Sequence, residues 1–112
     1  MKIELLHIAG CPISDAAKRL VEEILRRLAR SEAVSEVEVS DAAHAQVLNF
    51  PGSPTIRVNG MDIEGSLTPS SSYGLSCRTY VVAGKFRGLP SEEMVRKAIQ
   101  SAVSGEVKEK KS

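Results

Sequence analysis

The chain has no tryptophan, and it has only two tyrosines and two phenylalanines. Its core must therefore be aliphatic, built from Val, Ile, Leu and Ala. Cysteine is just as scarce. Cys11 and Cys77 are the only two, which excludes the disulfide framework of a small secreted scaffold. No charge of one sign dominates, since 15 Lys and Arg stand against 14 Asp and Glu. That balance excludes the clustered basic footprint of a nucleic-acid-binding protein. Long apolar runs are missing too. None approaches the ~20 residues of a membrane span, and residues 1–9 are too short and too strand-like for a signal peptide. The expectation is a soluble, cytoplasmic protein with neither nucleic-acid nor membrane partners. At 112 residues the chain suffices for one domain with one real core.

What is present is organised around Gly10-Cys11-Pro12-Ile13-Ser14. The apolar run Ile3 to Ala9 leads into this stretch and reads as a central strand covered on both faces. His7 within it reads as a partly exposed or hydrogen-bonded strand histidine in preference to a catalytic one. A helical pattern from Asp15 to Arg30 leads out, with Leu20, Val21, Ile24, Leu25 and Leu28 on one stripe and charges on the other face. A cysteine at such a junction meets helix N–H groups and the positive end of the dipole, a setting that favours a nucleophilic thiolate. Pro12 is expected in the first helical turn, where its missing N–H costs nothing.

Further along, Val34 to Val39 alternates like a half-buried strand, with Val37 and Val39 inward. Asp41 is the cap of a short helix from Ala42 to Leu48 that carries His44 on its surface. Phe50 to Pro54 breaks the chain, Thr55 to Val58 is a strand, and Asn59-Gly60 signals a tight turn into a short return at Met61 to Glu64. Gly65 to Gly74 is a Ser-rich loop. Cys77 to Val82 is expected as a strand turned by Gly84. A final helix opens at Ser91 and is expected to stop at Gly105. The predicted organisation is a domain over 1–105 and a flexible charged tail over 106–112. The order is β-α-β-α-β-β-α, an α/β fold with a four-stranded mixed sheet flanked by helices and a right-handed crossover at its start.

That order, together with Cys11-Pro12-Ile13-Ser14 and the distant Ser53-Pro54-Thr55-Ile56, resembles the thioredoxin fold. The resemblance covers roughly residues 2–103. It implies a cis proline at Pro54 facing Cys11, with Pro12, Ile13, Pro54 and Thr55 contacting substrate and the Thr55 backbone pairing with an extended thiol substrate. Two departures stand out: no Trp precedes the cysteine, and Ser14 occupies the place of the second cysteine. A C-x-x-S motif is similar to that of monothiol glutaredoxins, which use glutathione as the resolving thiol or hold an iron–sulfur cluster with it; glutathione as co-substrate, with no resident cofactor or metal, is the expectation for this chain. Ser53 to Gly60 with Ser76-Cys77-Arg78 also resembles small thioredoxin-like proteins labelled as alkylmercury-lyase-related.

Three readings follow. In the first, Cys11 is the nucleophile of a thiol oxidoreductase acting on a thiol or disulfide substrate, a protein among them, and the Ser14 hydroxyl either supports the thiolate or bonds local backbone. In the second, the fold is a non-catalytic binding module whose partner surface is a helical face and the Gly65–Gly74 loop. In the third, Cys11 and Cys77 bind a soft metal such as mercury. Cys77 is either a small buried hydrophobe or a resolving thiol for Cys11, which requires the two Cα atoms to lie within ~7 Å.

Overall fold

Alternation along the first strand decides the layering. The computed structural model of the chain describes residues 1–64, 75 and 78–111, with side chains described as far as 105. The strand β1 (Ile3–His7) is flanked on both sides in the sheet. Successive side chains of a strand point to opposite faces. Ile3 and Leu5 are buried on one face and Leu6 on the other, so each face needs a helical cover.

The first cover is α1 (Ser14–Arg27), which buries Ala17, Val21, Ile24 and Leu25. Asp15 in its first turn and Arg26 and Arg27 in its last complement the helix dipole. The chain then returns as β2 (Val34–Glu38), parallel to β1, with Ile3 opposite Val34 and Leu6 opposite Val37. On the opposite face lies α2 (Ala42–Val47), whose Ala45 packs with Phe50, Leu6 and Val39. The Asp41 carboxylate caps it, accepting the His44 N–H at 2.7 Å as the sequence predicts. The strand β3 (Thr55–Val58) runs antiparallel to β1, and β4 (Met61–Asp62) antiparallel to β3. Asn59 and Gly60 join these two with φ of 52° and 81°, the left-handed pair that an Asn-Gly hairpin requires. The sheet is four-stranded and mixed, in the order β2-β1-β3-β4.

Two expectations are corrected beyond β4. The strand expected from Cys77 begins only at Tyr80. It is β5 (Tyr80–Val82), and it pairs with β6 (Lys85–Arg87) in a separate two-stranded sheet. Ala83 and Gly84 both have positive φ, at 51° and 77°, so they form a two-residue turn and the chain doubles back at once. The observed order is therefore β1-α1-β2-α2-β3-β4-β5-β6-α3, with α3 (Glu92–Lys111) shared between the expected domain and tail. Gly105 does not end this last helix. An interior glycine costs about 1 kcal/mol relative to alanine, which lowers helix stability without forcing a stop. The Ser91 hydroxyl accepts the Met94 N–H at 3.2 Å as the expected cap, and Val95 and Ile99 pack beside α1 on the Ile3 and Leu5 face. The Gly65–Gly74 loop and Cys77 lie outside the described residues. Among the described residues, no helix is long and apolar enough to cross a membrane.

Helices α1 and α2 stop in the same way. The Arg30 N–H donates to the Leu25 carbonyl at 2.8 Å, and Phe50 N–H donates to Ala45 at 2.9 Å. Both bonds span five residues, the signature of a Schellman ending, which needs a left-handed residue just past the helix. Asn49 fills that place in α2 with φ 51°, and Ala29 fills it in α1 with φ 55°. Alanine pays a steric penalty in this region that glycine does not. Ala29→Gly should therefore raise stability by about 0.5–1 kcal/mol, read as a higher urea midpoint with an unchanged slope. A lower midpoint would mean that the left-handed turn is not what ends α1.

Candidate functional site

Cys11 sits on the turn between β1 and α1. Its N–H donates to Ile8 O at 3.2 Å, and Gly10 has a φ of 75° that lets the chain turn there. The residue is half-buried and its thiol is free. Helix α1 starts at Ser14, with Ile13 as the preceding cap residue. Pro12 therefore lies in the turn and is exposed, and does not occupy the expected first helical turn. The Ser14 hydroxyl donates to the Cys11 carbonyl at 3.0 Å. This is the local-backbone alternative for Ser14. Ile13 is half-buried, and a Cβ added to Gly88 would lie 3.7 Å from Ile13 Cγ1, so the end of the β5–β6 hairpin reaches the motif.

The Ser53–Pro54 peptide is cis, as expected. This segment is joined to the cysteine turn through Ile8. The Ile8 N–H donates to Ser53 Oγ at 3.2 Å, while Ile8 O accepts from Cys11. Pro54 and Thr55 are buried, and Thr55 is paired opposite Leu6 in the sheet. His7 stays local, with Nδ1 3.3 Å from Ile8 O. His44 likewise accepts the Ser40 N–H at Nδ1, at 3.2 Å.

Sequence reasoning gave no role to Arg78 or Tyr80, and these two hold the segment in place. The Arg78 side chain is only 4% exposed. Its guanidinium bonds both oxygens of Asp62, at 2.5 and 2.8 Å, and Glu64 Oε1 at 2.7 Å. It also donates to Thr55 Oγ1 at 3.2 Å and stacks over the Tyr80 ring, 4.4 Å from its centroid. The Arg78 backbone N–H donates to Ser53 O at 2.9 Å. The Tyr80 hydroxyl donates to Pro54 O at 2.6 Å. Gly52 is required beneath this contact, because a Cβ there would lie 2.8 Å from the Arg78 Cβ. The available signal was a lone charge at the head of an apolar strand pattern, which when buried demands a carboxylate partner. Among the described residues no buried side-chain nitrogen or oxygen lacks a partner.

Burial by itself would lower the affinity of Arg78 for its proton. Its hydrogen bonds to Asp62 and Glu64 and the charge of Asp62 outweigh burial and hold the guanidinium above its ordinary value. Burial raises the Tyr80 phenol. Arg78 works against that rise, and Asp62 and Glu64 add to it.

Among the described residues no group of three or more His, Cys, Asp or Glu is placed to hold a metal ion. The two-thiol metal reading, and Cys77 as resolving thiol, depend on a residue outside the described set. A groove of about 590 Å³ lies elsewhere, between β4 and α3, with Val58, Met61, Ile63, Val81, Met94 and Ala98 in its lining. No family model, curated protein or solved structure matches the chain.

Arg78→Met leaves two carboxylates facing an apolar side chain and should cost about 3–5 kcal/mol, measured by urea unfolding. A loss below about 1 kcal/mol would mean that the pair is solvated like a surface bridge. The same cluster sets a pH dependence. Unfolded tyrosine ionises near pH 10, and folded Tyr80 does so only at higher pH. Between those values the unfolded chain binds fewer protons, so unfolding becomes easier as pH rises. The contribution is complete below about pH 10 and is lost above it, with a slope approaching ~1.4 kcal/mol per pH unit. Tyr80→Phe should flatten the fall in urea midpoint between about pH 9 and 11 relative to wild type. Parallel curves would mean that Tyr80 ionisation does not drive the fall.

Proposed function

We propose that this chain is a thioredoxin-like thiol oxidoreductase in which Cys11 is the sole nucleophile of the motif. The observation that carries the reading is the placement of Cys11, a half-buried free thiol just beyond the C-terminal end of an inner strand. Open α/β sheets gather their chemistry at the carboxyl ends of strands. Further support comes from α1 crossing between the parallel strands β1 and β2, and from Pro54 standing immediately before an antiparallel β3. Both features are similar to the thioredoxin arrangement.

The chemistry is an exchange. The Cys11 thiolate attacks one sulfur of a disulfide, a Cys11–S–S–R bond forms, and the other half leaves as a thiolate. Ser14 carries no sulfur and cannot release R. An external thiol, glutathione in this proposal, attacks the mixed disulfide, leaves bonded to R, and returns Cys11 to thiolate.

A second reading, a binding module, draws on the hairpin. Val81 and Phe86 face each other across β5 and β6 and are 53% and 77% exposed. Val81 also lines the groove beside α3.

Intact-mass measurement after a disulfide challenge separates the two readings. Cys77→Ser leaves one thiol in the chain, and this variant should accumulate the Cys11 mixed disulfide until glutathione is added. Cys77→Ser combined with Ser14→Cys should release the adduct without glutathione, by forming a disulfide between Cys11 and the introduced thiol. A Cys11 that is no more reactive than an unstructured peptide thiol would reject the oxidoreductase and leave the binding module.

A further inference from the structure

An extended peptide is held beside a sheet by adding its own backbone to an open strand edge. Among the described residues, the end of the sheet at Cys11 offers no such edge. Cys11 follows β1, which has β2 on one side and β3 on the other. The backbone around the turn is already engaged: His7 O accepts Val39 N–H at 2.8 Å, Ile8 N–H is bonded to Ser53 Oγ, and Ile8 O accepts Cys11 N–H. On the β3 side, Gly52 O accepts the Thr55 hydroxyl at 2.6 Å, Ser53 O accepts Arg78 N–H and Pro54 O accepts the Tyr80 hydroxyl. Residues 52–55 are all buried. Yet Cys11 itself remains partly open, beside exposed Ala9, Gly10 and Pro12.

We infer that Cys11 serves low-molecular-weight disulfides, and that Arg78 and Tyr80, by taking the Ser53 and Pro54 carbonyls, exclude extended polypeptides from strand pairing beside it. This rests on the oxidoreductase reading and narrows its substrate class. It stands in place of the expectation that the Thr55 backbone pairs with an extended substrate. A small disulfide needs only a path to the sulfur. The thiolate attacks one sulfur and the other half leaves as a thiolate, and a low-molecular-weight thiol then removes the bound half as a new disulfide, so each cycle consumes one thiol, releases one and exchanges one disulfide for another.

The test compares two probes with one leaving group. The first is the mixed disulfide of 2-mercaptoethanol with thionitrobenzoate. The second is the same thionitrobenzoate disulfide on the cysteine of a short, unstructured peptide. Each reaction forms Cys11–S–S–R and releases coloured thionitrobenzoate, and peptide mapping of the full-length wild-type chain locates the adduct, with Cys11→Ser as control. The expected second-order rate for the peptide is no greater than that for the small probe. Methylating the peptide nitrogens that flank its cysteine should change its rate by less than about two-fold, since no backbone pairing is lost. A peptide that reacts about ten-fold faster than the small probe, and loses that advantage on N-methylation, would overturn the inference while leaving Cys11 a nucleophile. Failure of both probes to react at Cys11 faster than with an unstructured cysteine peptide would overturn the oxidoreductase reading, and this inference with it.

Discussion

One buried guanidinium ties together β4, the Ser53–Thr55 segment and the β5–β6 hairpin. Arg78 meets Asp62 and Glu64 with its side chain and Ser53 with its backbone, and it stacks on Tyr80. A charge that far from water is tolerated only with its hydrogen bonds complete. Here two carboxylates, a threonine hydroxyl and an aromatic face complete them. The short strand β4, the Ser53–Thr55 segment and the β5–β6 hairpin therefore hold their positions together. Removing any one of them leaves the others with an unsatisfied buried group.

The cysteine turn is at the far end of that arrangement. Arg78 bonds Ser53, Ser53 bonds Ile8, and Ile8 accepts from Cys11. Each link is an ordinary hydrogen bond with a modest net contribution of about 1 kcal/mol. Their value lies in geometry, since each fixes the position of the next. Under the proposed chemistry this matters more than strength, because a monothiol site has no second sulfur to orient the adduct. Ser14 contributes to the same end by holding the Cys11 carbonyl, and so steadies the turn from the helix side.

Much of the frame could be read from the residues themselves. The 3–4 spacing of Val21, Ile24 and Leu25, the Asp41 cap and the Asn59-Gly60 turn are local signals, and local physics was enough to place them. The position of Cys11 between a strand and a helix was legible for the same reason. Three features were not. The return strand β6 was hidden because Ala83 takes a left-handed φ that its side chain does not advertise. The continuation of α3 was hidden because Gly105 resembles a stop signal, but none of the left-handed conformation of a helix cap is found there. The role of Arg78 was hidden because its partners are 14 and 16 residues away, and an arginine in isolation reads as surface.

The hairpin shows how this anchoring changes the character of an element. A half-buried strand pair normally turns its apolar side chains inward and its polar ones to water. In β5–β6 the inward anchor is Tyr80, which is held by a hydroxyl bond to Pro54 and by the Arg78 guanidinium, while Val81 and Phe86 face outward as an opposed pair. Because polar contacts do the fixing, the apolar side chains are not needed for it and remain exposed. The hairpin is thus attached by polar groups, and its outward face has apolar surface in contact with water. Apolar area of that kind is favourable to cover. The contacts that hold the Ser53–Thr55 segment are therefore the same contacts that leave Val81 and Phe86 uncovered.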